Sequence, residues 1–127
     1  MIISNLDGST KFEENVAGIA VFVNDAGTDA TYVRGAIYSA NGDLLGTTRE
    51  VELVRDSWNV LTFPHDIRID TKDRKNYILA VQGDGPINVP ADGENYIFQE
   101  ADYGTFPGNL EGYEGNESKL SIYAIYR

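Results

Sequence analysis

The sequence predicts an all-β chain, a two-sheet antiparallel β-sandwich of about eight strands. Three observations lead there. Apolar and polar residues alternate at a period of two, clearest along Tyr32–Tyr38, while no segment carries a convincing 3.6-residue apolar repeat. Fourteen aromatics, eight of them tyrosine, suit a pleated surface, and thirteen glycines suit tight turns between short strands. The 127 residues have the length of one domain, and with no cysteine its stability must come from packing.

Residues 1–15 read as an N-terminal arm or edge strand, MIISN, followed by a polar loop in which Phe12 dips inward. Residues 16–23, VAGIAVFV, form a nearly continuous apolar strand stopped by Asn24-Asp25-Ala26-Gly27. In the hairpin that follows, Val33, Gly35 and Ile37 share one face and Tyr32, Arg34, Ala36 and Tyr38 the other, so one face is expected to be core. Asn41-Gly42 offers the two positive-φ positions of a type I′ turn, and Asp43-Leu44-Leu45 starts the return.

Residues 49–54, REVELV, read as a half-exposed strand. Residues 57–63, SWNVLTF, read as another, ended by Pro64, with Trp58 and Val60 expected in the core. Residues 66–70 alternate again, and 71–76, TKDRKN, make a polar tip. Residues 76–83, NYILAVQG, are strongly apolar. From 83 to 117 the composition changes: no lysine or arginine, eight acids, seven glycines and three of the four prolines, with only 94–99 strand-like. The remainder is expected to form long loops at one end of the fold. Residues 119–127, KLSIYAIYR, close the chain as a strand with Leu120, Ile122 and Ala124 opposite Ser121, Tyr123 and Ile125.

A formal charge of −10 repels a phosphate backbone, so nucleic acid is not an expected partner. No apolar run has the length of a membrane span, and the N-terminus lacks the basic start and apolar centre of a signal peptide. The expectation is therefore synthesis in the cytoplasm with no membrane partner.

Five stretches in order, RGAIYSANGDLLG (34–46), SWNVLTFP (57–64), NYILAVQGDG (76–85), YGTFPG (103–108) and LSIYAIYR (120–127), carry a likeness to a known family. The chain resembles a jelly-roll β-sandwich domain of unknown function, carbohydrate-binding-like, that recurs in bacterial surface proteins and tailed-phage virion proteins. It departs from that pattern at Ser57, where a glycine often precedes the tryptophan, at Asn76-Tyr77-Ile78, and in a shortened loop after Ser39. The resemblance implies a jelly roll and brings no catalytic residues with it.

No enzyme is expected. His65 is the single histidine, no G-x-S-x-G occurs, and paired carboxylates among twenty acids select nothing. Among metals, calcium fits the oxygen-rich chemistry of Asp25, Asp29 and Asp84 as a structural ion; turn formation and solubilising charge are the other reading of these acids. For a sugar, Tyr96, Tyr103, Phe106 and Tyr113 offer flat rings for C–H faces, and Asn95 and Asn109 offer hydrogen bonds. Packing of the long loops is the competing role for these rings. Asn116-Glu117-Ser118 has the form of a glycosylation sequon, read as chance without a secretion signal.

The resemblance and the lack of catalytic motifs lead to a non-enzymatic virion structural protein: a capsid decoration, head fibre or tail component, homo-oligomeric and bound to other virion proteins. Such a protein assembles in the host cytoplasm. The alternative is a carbohydrate-binding module or lectin-like domain, extracellular if part of a secreted protein, and a virion surface domain that holds a host glycan would combine both.

Overall fold

The computed structural model describes residues 1–5, 14–69, 77–92, 97–98, 103–110 and 119–126. Among these residues the chain is all β, with no helix. Its strands are β1 (Ile2–Asn5), β2 (Glu14–Val23), β3 (Tyr32–Tyr38), β4 (Leu44–Thr47), β5 (Val51–Glu52), β6 (Ser57–Ile69), β7 (Ile78–Gly83), β8 (Ala91–Asp92), β9 (Ile97–Phe98), β10 (Lys119–Leu120) and β11 (Ile122–Tyr126). Of these eleven, β5, β8, β9 and β10 are two-residue pieces.

All pairings among the described residues are antiparallel. The first sheet runs β4-β3-β7-β1-β9, with β5 also on β3; the second runs β11-β2-β6; β8 and β10 pair separately. The two larger sheets enclose one core, as in a β-sandwich. Ile2, Val33, Ile37, Leu79 and Val81 come from the first sheet, and Ile19, Val21, Val23, Leu61, Phe63 and Ile122 from the second. Full burial of each such side chain stabilises by about 1.5–3 kcal/mol, which is why alternation fixes the register. The sheets pack tightly at Gly35, where an added Cβ would lie 2.9 Å from Ile19 Cδ1 of the second sheet and 3.2 Å from the Ala80 carbonyl oxygen of the neighbouring strand. A side chain there would have to displace Ile19 and crowd the Ala80 carbonyl.

The structure corrects several expectations. Residues 1–5 are not an edge: β1 pairs with β7 through Ile2↔Val81 to Asn5↔Ile78, and with β9 on its other side. β3 is buried on both faces, because Ala36 and Tyr38 are as inaccessible as Val33 and Ile37. Its turn is not type I′, since Asn41 has no positive φ. Gly42 alone turns left-handed, at φ 82°, and its N–H donates to the Ser39 carbonyl at 2.9 Å. That is a type I turn closed by a glycine bulge.

Pro64 does not end its strand. Between Gly18↔Thr62 and Val16↔Ile67 the four residues 63–66 face one residue of β2, so β6 bulges past the proline and rejoins the ladder. The expected strand at 66–70 is thus the far end of β6, and Glu14 and Asn15 already belong to β2. The expected strand at 49–54 contracts to β5. Phe12 and the tip at 71–76 lie outside the described residues.

Residues 103–110 are not a loop at one end. They form a strap along the outward face of the first sheet, beside β3. Phe106 and Leu110 pack there with Met1, Ile3, Ala36, Tyr38, Ile78 and Ala80 in a second apolar layer. Backbone bonds join the strap to the hairpin: Leu44 N–H to the Gly108 carbonyl at 2.9 Å, and Leu110 N–H to the Gly42 carbonyl at 2.8 Å.

Candidate functional site

Three of the six residues expected to bind a ligand belong to the strap, and each is occupied in fixing it. Tyr103 donates its hydroxyl to Glu50 Oε2. Burial first, then this bond and the charges of Glu50 and Asp84, push the Tyr103 hydroxyl well above its ordinary range, against the opposing effect of Arg34. Phe106 is buried, with the Arg34 guanidinium carbon 5.7 Å from its ring centroid, so it offers no open face to a sugar. Asn109 donates to Asp43 Oδ1 at 2.6 Å, pinning the strap to the hairpin. Tyr96, Tyr113 and Asn95 lie outside the described residues.

Gln82 adds a further clamp. Its amide donates to the Thr105 carbonyl at 3.3 Å and accepts from Gly104 N–H at 2.8 Å, while Arg34 Nη1 donates to the Gly104 carbonyl at 3.0 Å. At the other end the buried Tyr38 hydroxyl donates to the Pro107 carbonyl at 2.7 Å. Burial raises the Tyr38 pKa from 10.0 to about 12.

The proposed calcium ligands do not make a cage. Asp25 pairs with Arg55 at 3.1 Å, and Asp84 Oδ1 accepts the N–H groups of Thr31 at 2.7 Å and Tyr32 at 3.1 Å. Asp29 is exposed in the loop before β3, with its backbone N–H bonded to the Pro86 carbonyl at 2.8 Å. Among the described residues no three His, Cys, Asp or Glu side chains gather as a metal ion needs. His65 is exposed on the bulged part of β6.

The outward face of the second sheet has the opposite character from the strap side. Trp58, expected in the core, is 47% exposed, Val60 is 54% and Tyr123 is 50%. The inward positions of β6 go instead to Asn59, Leu61 and Phe63. Asn59 can be buried because its amide is satisfied within the preceding turn: Oδ1 accepts from Val54 N–H at 2.8 Å, and Nδ2 donates to the Val54 carbonyl at 3.0 Å and the Ser57 carbonyl at 3.2 Å. A strand carrying apolar residues at both parities can lie either way up, and the turn decides.

On this face the Trp58 ring lies 5.6 Å from Phe22 at 76° and 5.6 Å from Tyr123 at 42°. Trp58 pairs with Phe22, while Val60, Ala20 and Tyr123 line up across β6, β2 and β11, so small Ala20 leaves room for the two larger rings to meet. Ala20, Phe22, Trp58, Val60, Thr62, Tyr123 and Ile125 form an uncharged surface on a chain of net charge −10. At about 4.8 Å between strands and about 3.4 Å per residue, three strands of five residues make a footprint of roughly 240 Å². That is no larger than the apolar patch an ordinary monomer carries, so what distinguishes the surface is its make-up, three aromatic rings gathered at one spot, and not its size.

Comparison with protein-family models, curated proteins and solved structures finds nothing that matches this chain. The site therefore rests on its own geometry: an aromatic and aliphatic surface suited to docking.

Proposed function

We propose that this chain is a non-enzymatic virion structural protein, displayed on a phage particle as a capsid decoration, head fibre or tail component and assembled with copies of itself. The observation that carries this reading is the uncharged face of Trp58, Val60 and Tyr123, held in solvent by a sheet whose inner side is already a complete core. Its footprint is about a third of the roughly 800 Å² per partner that a stable pairwise complex buries. A small site of this kind suits a subunit attached at several points, where multivalency supplies the remaining affinity. The finer fold reading, a jelly roll, accords with a chain that passes between the sheets from β1 to β2, β2 to β3, β5 to β6 and β6 to β7.

The test is immunogold labelling of particles released by lysis of cells that make this chain, alongside the double variant Trp58→Ser, Val60→Thr. Gold on the outer surface with the native chain, lost with the variant, is the expected result. Particles that never carry label would overturn the reading.

A second reading, a sugar-binding module, draws on the exposure of Trp58 beside Tyr123. The ring planes are inclined by 42° and 76°, so they do not form the single flat platform against which successive pyranoses stack. Affinity electrophoresis in gels cast with neutral polysaccharides separates the two: retardation abolished by Trp58→Ser favours the sugar.

A further inference from the structure

We propose that a second copy of this chain pairs with the outer edge of β11, antiparallel about a two-fold axis, so that two three-stranded sheets continue as one sheet of six. This deepens the assembly reading above and rests on it.

The backbone shows which groups face that edge. Phe22 N–H donates to the Ser121 carbonyl at 2.9 Å, and the ladder continues as Ile122↔Val21, Tyr123↔Ala20 and Ala124↔Ile19. In an antiparallel pair each residue turns both its backbone groups to one side, alternating along the strand. Tyr123 and Ile125 therefore direct theirs at β2, whereas Ile122 and Ala124 direct theirs outward. Among the described residues β11 pairs with β2 alone. Outward amides of this kind are a template for another strand.

The edges at β6 and β5 carry features that discourage pairing. β6 holds Pro64, a four-residue bulge, Asp66 and Arg68, and its Thr62 carbonyl already accepts Arg49 N–H at 2.9 Å. β5 carries Glu52. β11 is IYAIY, with no charge, proline or glycine.

Charge selects the occupant. Two chains at −10 repel wherever carboxylates meet, and among the described residues neither β11 nor its neighbours on β2 place one there. A basic partner would find its complement among the acids elsewhere and gain nothing from an uncharged strand. A second copy meets its own apolar strand, register for register, which is the self-complementarity a two-fold interface requires. A pairing through the outward groups of Ile122 and Ala124 is a small contact, so the dimer is weak in dilute solution and strengthens as salt screens the like charges.

Sedimentation equilibrium up to about 1 mM chain reads association on the free-energy scale that separates weak from tight complexes. The native chain is expected to move from the mass of one chain towards two as concentration and salt rise. Ala124→Pro, which removes an outward N–H, and Tyr123→Lys, which puts a charge on the edge strand, should each remain single. Leu45→Thr, at an exposed apolar position on β4, should associate like the native chain. Hydrogen exchange should slow with concentration at the Ile122 and Ala124 amides and remain constant at Tyr123 and Ile125. Circular dichroism checks the fold of Ala124→Pro, and if that variant unfolds, Tyr123→Lys decides. Association undiminished in both variants overturns the edge pairing while leaving self-assembly intact. A native chain that stays single throughout overturns the pairing and self-assembly together, leaving particle labelling as the separate test of the virion reading.

Discussion

The outward faces of the two sheets begin with similar material and end differently. Ala36, Tyr38, Ile78 and Ala80 on the first are roofed by Phe106 and Leu110, and the strap that carries those residues is fastened by Arg34, Gln82, Tyr38, Tyr103 and Asn109. Trp58, Val60 and Tyr123 on the second meet solvent. The difference separates two uses of apolar surface: the covered face contributes to stability, and the bare face is available to a partner.

Substitutions should divide the same way. The largest effect is expected beneath the strap, where Phe106→Ala leaves a cavity in the second apolar layer and should cost about 3–5 kcal/mol in urea unfolding. A loss below about 1 kcal/mol, the level of an ordinary surface change, would mean that the strap rests on the sheet without stabilising it.

Alkaline pH gives the next effect. The Tyr38 pKa is raised from 10.0 to about 12 in the folded chain, so its contribution is complete below pH 10 and declines as pH climbs towards 12. The native chain should lose up to about 1.4 kcal/mol per pH unit from this group in that window. Tyr38→Phe should flatten the slope at the expense of the Pro107 bond, and an unchanged slope would exclude Tyr38 as its source.

Tyr103→Phe should cost about 1 kcal/mol through the lost bond to Glu50. Hydrogen exchange at Gly104 should quicken more than at Leu110, because the two ends of the strap are pinned separately. Smallest of all, Val60→Thr on the bare face should change stability by no more than about 0.5 kcal/mol. A cost of 2 kcal/mol or more, as for a buried group, would place Val60 with the core and erase the contrast.

Much of the fold was legible from periodicity. The apolar runs at 16–23 and 76–83 became β2 and β7, and in the closing strand Leu120 and Ile122 point inward while Tyr123 points outward. The site was less so. Tyr103, Phe106 and Asn109 had the chemistry of a ligand surface, yet their contacts are with Glu50, Arg34 and Asp43 of the same chain. Trp58 was misplaced because SWNVLTF is apolar at both parities, and the deciding residue was Asn59, whose buried amide closes the turn before it. A polar residue able to bond its own turn was the available signal.

By itself the sequence determined where the main strands lie and where the chain turns between them, because those depend on neighbours one to four positions away. Which face of β6 turns inward, how β1 comes to lie between β7 and β9, and where residues 103–110 pack were decided by tertiary structure. These outcomes depend on contacts between segments far apart in the chain, and local alternation is the same whether a face ends under a strap or in water.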